Sequence, residues 1–258
     1  MGLLQNLTAR SQQRALRLQA LLFPRQRSRM NTDDAISEEI RRFHDRLRGD
    51  PHHRFRSWEH CHDFFKGNPT DYDLASLHLA FYLASWGMYR GSSFLLQKDY
   101  RVHAAVVEEI LNPRYASLRD PTLDDFTLDS RGIEVVDALF DLVAWIKSWY
   151  AANTSTHRGA ANVSDTLATK ILLGTLGCTP AYDRFFIAGL NKCGLKFSYL
   201  NKTNFSEMIS FCLRHRDAFQ DAQAVVSSYG VEYPTMKIID MYFWRLGEAQ
   251  VPRDEDVG

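Results

Sequence analysis

No stretch of the chain approaches the roughly 18 consecutive apolar residues that a membrane-spanning helix needs, and no membrane partner is expected. There is no CxxC pair, since Cys61, Cys178, Cys193 and Cys212 lie far apart. With no recognisable secretory leader, they read as reduced, mostly buried thiols of a cytoplasmic protein. A glycine-rich phosphate loop is absent, which removes the simplest nucleotide-triphosphate and dinucleotide readings. So is the HExxH spacing of a zinc site: His60 and His62 are two apart and point roughly 200° from each other on a helix. No metal and no cofactor are called for. Neither sign of charge dominates, with 31 basic and 31 acidic residues, and this denies the easiest argument for nucleic-acid binding. Strand alternation of useful length and internal repeats are also missing, so the pattern that remains is helical.

What is present is bulk. Sixteen Phe and eleven Tyr give a heavy aromatic core to a chain of 258 residues, long enough for one large or two small domains. The first 29 residues stand apart: Arg10, Arg14, Arg17, Arg25, Arg27 and Arg29 occur with no acid, beside Leu3, Leu4, Leu7, Leu18, Leu21 and Leu22. Three readings fit this segment: a phosphate-touching arm, a transit-like or membrane-surface helix, or an extension upstream of a natural start at Met30. With six of the 31 basic residues there, the rest of the chain carries 25 basic against 31 acidic residues and is mildly acidic.

From Thr32 the order is one of helices. A first helix carries Ile36, Ile40, Phe43 and Leu47 inward, and a stretch rich in His and aromatics follows it. There Arg54 and Arg56 precede His60 and His62, which loosely resembles the Arg–His pairs of all-helical ribonucleases and offers a third reading if those side chains converge. Residues 73–91 are apolar on nearly every side, predicting a buried central helix capped by Asp73. Arg90 at its exit can face a cleft, and Lys98, Tyr100 and His103 can line a polar pocket. The Pro- and Asp-rich loop 112–130 suggests a boundary between an N-terminal lobe (30–120) and a second lobe (121–258). The second lobe opens on a helix over 131–151 with Ile133, Val136, Phe140 and Val143 inward. It continues with a helix over 204–227 and a last one over 234–247 that begins on Pro234.

The stretch Ser164–Leu190 carries the most chemistry. Ser164 caps a helix whose inward stripe is Leu167, Ala168, Ile171, Leu172 and Leu176, with Lys170 off that stripe. Gly177 and Pro180 bracket the helix end. A second helix is expected from about Tyr182, with Asp183 in its first turn. Lys170 and Asp183 are thirteen positions apart across one sharp turn, so an amine and a carboxylate can converge on one pocket.

Thr169-Lys170, an apolar helix, a short turn and Pro180-Ala181-Tyr182-Asp183 resemble the core of the helix-hairpin-helix DNA glycosylase superfamily, nearest its 8-oxoguanine branch. The ending Ile239-Asp240-Met241-Tyr242-Phe243-Trp244-Arg245-Leu246-Gly247 is similar to a closing helix in uncharacterised relatives of that branch. The likeness spans residues 131–247 and rests on about a dozen positions. It implies an all-α, two-lobed protein that binds DNA and excises a damaged base, with Lys170 as the Schiff-base nucleophile and Asp183 as the stabilising carboxylate. Tyr182, Arg184, Phe186, Trp244 and Arg90 would bind the substrate, with Phe185 also available to an aromatic pocket. Gly174 and Gly177 would admit the phosphate backbone, helped by Lys192 and Lys196. The superfamily's Leu-Pro-Gly-Val-Gly hairpin is absent, and Asn162-Val163-Ser164-Asp165 stands in its place. That absence and the neutral charge favour a second reading, a non-catalytic nucleic-acid-binding or protein-interaction module on the same fold.

Overall fold

The computed structural model describes residues 31–250 except 92, 128, 157, 158 and 161, together with the backbone alone of 155, 156, 159 and 160. The basic segment 1–29 and the charged tail lie outside the described residues. The fold is all-α. Among the described residues ten helices run in the order α1 (Thr32–Gly49), α2 (Arg56–Lys66), α3 (Tyr72–Ser85), α4 (Ala104–Ile110), α5 (Ser130–Asn153), α6 (Asp165–Thr175), α7 (Arg184–Lys192), α8 (Lys202–Arg214), α9 (Arg216–Ser227) and α10 (Thr235–Glu248). Short 3-10 turns flank α4 between residues 94 and 126, and a two-residue antiparallel ladder pairs Ser155 with Ala160. No helix of the described residues is long and apolar enough to cross a membrane. Cys61, Cys178, Cys193 and Cys212 are free thiols.

Two helices form the interior. In α6 every residue from Leu167 to Thr175 is buried, and in α10 every residue from Met236 to Trp244. Around α6 pack α2, α3 and α5; around α10 pack α1, α7 and α9. A single apolar cluster runs from Ile36 to Leu246 and draws on residues from both sides of position 120. Trp58 on α2 touches both: its indole N–H donates to Leu173 O of α6 at 3.0 Å, and Lys237 Nζ of α10 lies 5.2 Å from its ring.

Several sequence expectations are corrected. The apolar helix after residue 70 is peripheral: Asp71 caps it, and Leu74, Leu77 and Phe81 are 41, 47 and 56% exposed. The central place belongs to α10, which buries Lys237 and Asp240 among its apolar residues. The inward stripe of α5 is Val135, Leu139, Leu142, Val143 and Ile146, while Ile133 faces water. The 204–227 segment breaks at His215, which pairs with Asp33, and becomes α8 and α9.

Helices α7 and α10 meet backbone to backbone. A Cβ on Gly189 would lie 1.8 Å from Phe243 O, and one on Gly247 would lie 1.8 Å from Phe185 O. Neither carbonyl can withdraw without breaking its own helix, so only glycine fits. Gly189→Ala should therefore cost about 3 kcal/mol or more in urea unfolding. Gly49→Ala, where nothing lies within 4 Å, should shift stability by less than about 0.5 kcal/mol. Equal effects would contradict the close approach.

His103 is fully buried between Tyr89 Oη, 2.7 Å from its Nε2, and Tyr150 Oη, 2.5 Å from its Nδ1. Burial pushes its pKa down to about 3. The folded state then binds fewer protons than the unfolded chain, whose histidine titrates at the ordinary value of 6.5. This contribution is complete above that value and is lost as pH falls through the window toward 3. It should amount to about 1.4 kcal/mol per pH unit at most. His103→Gln should flatten the fall in urea midpoint over this window, and parallel curves would refute the assignment.

Candidate functional site

The site is assembled by the chain's return along α6. Ser164 caps α6 by accepting from Leu167 N at 3.2 Å. Gly177, at φ +61°, closes the helix by donating to Leu172 O at 2.9 Å. The following segment is held back against α6 by two threonines. Thr169 Oγ1 accepts from Tyr182 N at 2.9 Å, and Thr166 Oγ1 donates to Tyr182 O at 2.8 Å. From the other side, Asp240 Oδ1 accepts from Ala181 N at 3.0 Å.

Asp183 is thereby delivered as the N-cap of α7, one position before the helix rather than inside its first turn. Its Oδ1 accepts from Phe185 N at 3.1 Å and Phe186 N at 3.0 Å. Oδ2 is left to accept from Lys170 Nζ at 3.0 Å. The lysine side chain is 4% exposed and the aspartate 13%. The ammonium also lies 4.8 Å from the centre of the Trp86 ring, a cation–π contact in a poorly hydrated setting.

The pair lines a cleft of about 820 Å³ that also includes Arg46, Arg54, Arg90, Arg184, Phe55, Trp86, Phe185, Trp244 and Glu248. Its aromatic wall is ordered. Phe43, Phe55 and Trp86 stack in a column at 4.9 and 4.5 Å, and Trp244 stands edge-on to all three. Behind Trp86 sits a second buried ion pair, Lys237 Nζ to Asp240 Oδ2 at 2.8 Å. That ammonium is boxed by Phe43, Trp58 and Trp86 at 5.0, 5.2 and 5.1 Å.

Of the residues expected at the site, Lys170, Asp183, Arg184, Trp244, Arg90 and Phe185 share this cleft. Tyr182 and Phe186 do not. Both are buried in the core, Tyr182 pointing its hydroxyl at Met208 Sδ, because the cap geometry turns Phe185 and not Phe186 outward. Gly174 and Gly177 are packing glycines: a Cβ at Gly174 would meet the Tyr82 ring at 2.4 Å, and one at Gly177 would meet Asp120 at 2.4 Å. Lys192 and Lys196 are exposed but do not line the cleft. Arg54, Phe55 and Trp86 were not assigned to this site from sequence. The one local signal was Gly87, at φ +75°, whose left-handed turn ends α3 and swings Trp86 and Arg90 inward.

The residues of the ribonuclease reading are dispersed. Arg56 donates to Leu47 O and Glu59, His62 stacks on Trp58 and faces Asp120, and His60 is exposed. Lys98 is exposed and Tyr100 donates to Asp73, so neither shares a pocket with His103. Among the described residues, no group of three or more His, Cys, Asp or Glu is placed to hold a metal. No protein-family model matches the chain, and neither does any curated protein or solved structure.

The division of labour within Asp183 makes the pair asymmetric. Asp183→Ala uncaps α7 and strands an ammonium against Trp86, and should cost about 3 kcal/mol. Lys170→Met should cost distinctly less, because Asp183 keeps two backbone donors and its contact with water. Urea midpoints of the two variants test this, and equal losses would contradict it.

Proposed function

We propose that the cleft receives one nucleotide turned out of a DNA strand and that Lys170 and Asp183 cleave its N-glycosidic bond, releasing a damaged base. One observation carries the reading: an amine and a carboxylate oxygen 3.0 Å apart line a cleft walled by aromatic rings and arginines. Phe185, half-buried at the cleft, offers flat apolar surface to a base that has left its stack, with Trp244 packed behind it.

As the bond from C1′ to the base breaks, its electron pair departs with the base and positive charge develops on C1′ and the ring oxygen. Asp183 Oδ2, oriented by the cap that holds Oδ1, opposes that charge. One ammonium proton of Lys170 passes to the leaving base, and the freed amine attacks C1′. A second proton moves to the ring oxygen as the ring opens, leaving a protonated Schiff base from which a lyase step follows. Nearly dry surroundings strengthen each of these charge interactions.

A binding module without catalysis is the second reading, and it is favoured by the mutual neutralisation of Lys170 and Asp183. An oligonucleotide carrying an oxidised purine separates the two. Under borohydride the wild type should give a covalent adduct and Lys170→Gln none. Asp183→Asn should slow base release by about a hundredfold or more. Binding with no release from any damaged base would leave the second reading, and wild-type rates in both variants would end the first.

A further inference from the structure

What the nucleotide is attached to can be argued from the cations of the cleft; this rests on reading the cleft as a nucleotide site. Arg46 is engaged by both carboxylate oxygens of Glu248 at 2.9 and 2.6 Å, and Arg184 lies over the Phe185 ring at 4.7 Å. The other two arginines have no carboxylate partner among the described residues, and Arg54 packs over the Phe55 and Trp86 rings at 5.3 and 5.9 Å. Arg54 has a single hydrogen bond to a described residue, a long one of 3.4 Å to Ser85 O. The Arg90 guanidinium has no hydrogen bond or ion pair to a described residue, and it folds over Gly87, whose added Cβ would lie 3.0 Å from Arg90 Nε. Both side chains are exposed at the cleft.

Two other devices by which a protein grips a duplex backbone are occupied or hidden among the described residues. The amides at the start of α7 are taken by Asp183 and cannot receive a phosphate. The turn after α6 is buried at each residue from 171 to 180. Outside residues 1–29 the chain carries 25 basic against 31 acidic residues, so a long polyanion laid across this surface gains nothing from bulk charge.

The geometry points to an unpaired nucleotide as the substrate class, in a single strand or at a strand end, with its flanking phosphates held by Arg54 and Arg90. Such a base needs no extrusion from a duplex and stacks directly against Trp86 and Phe185, the half-buried rings of the cleft. A free nucleoside monophosphate offers the same chemistry with one phosphate fewer.

Binding of the full chain to a labelled single strand, to the same sequence as a duplex, and to the nucleoside 5′-monophosphate as competitor tests this. Because the arginines of residues 1–29 can add affinity of their own, the readout is the change on substitution. Arg54→Ala with Arg90→Ala should weaken single-strand binding about tenfold and leave duplex binding unchanged. Each substitution should lessen the slope of log affinity against log salt by about 0.7 for the single strand. The monophosphate should compete against the wild type and not against the double variant; competition as strong as the single strand's would identify the free nucleotide as the source. Equal losses for duplex and single strand, or no loss for either, overturn the proposal. A single strand bound in this way but never cleaved would remove the excision reading and leave this one. Base release confined to duplex would do the reverse.

Discussion

Asp183 has two oxygens and two duties, and the arrangement of the site follows from keeping them separate. Oδ1 accepts the first free amides of α7, a contact that any capping aspartate makes. Because that contact fixes the plane of the carboxylate, Oδ2 has one direction left, and Lys170 lies along it at 3.0 Å. A cap that is usually a matter of helix stability here becomes the means of aiming a charge. The threonines of α6 act one step earlier: by pinning both backbone polar groups of Tyr182, they set where the cap begins.

The second buried pair extends the same logic. Asp240 spends one oxygen on Ala181 N and the other on Lys237, just as Asp183 divides itself between amides and an amine. Both ammonium groups abut the ring of Trp86, at 4.8 and 5.1 Å. The segment between them is therefore held by carboxylates at both ends. Buried charges of this kind contribute little net stability, since the desolvation of each ion offsets most of the attraction. Their consequence is positional: leaving either partner unmatched is costly, so the segment has one arrangement and few neighbours in energy.

How much of this was legible in the sequence depended on whether the cause was local. Ser164 as a cap, Gly177 as a stop and the convergence of Lys170 with Asp183 follow from turn and cap chemistry within a few residues, and each was readable. Which face of a helix meets the core is settled by partners distant in the chain. Hence Leu74, Leu77 and Phe81 are exposed although they are strongly apolar. Lys237 and Asp240 lie in the centre, masked by their charge. Phe185 and Phe186 are neighbours about 100° apart on the helix, and only the geometry of the cap decided which one met the cleft. Arg54 and Trp86 arrive from elements more than eighty positions earlier, and no pattern near Lys170 could have named them.

The glycine contact between α7 and α10 has a mechanical meaning for the cleft. Phe185 and Trp244 stand on two helices whose backbones touch at Gly189 and Gly247, so those two walls move as one body and cannot be spread apart. The opposite side is the Trp86–Arg90 turn, joined to α3 through the left-handed Gly87 and tethered by the Tyr89–His103 bond. A bulkier guest is therefore admitted from the other elements of the lining, that turn among them, with Gly87 as its pivot.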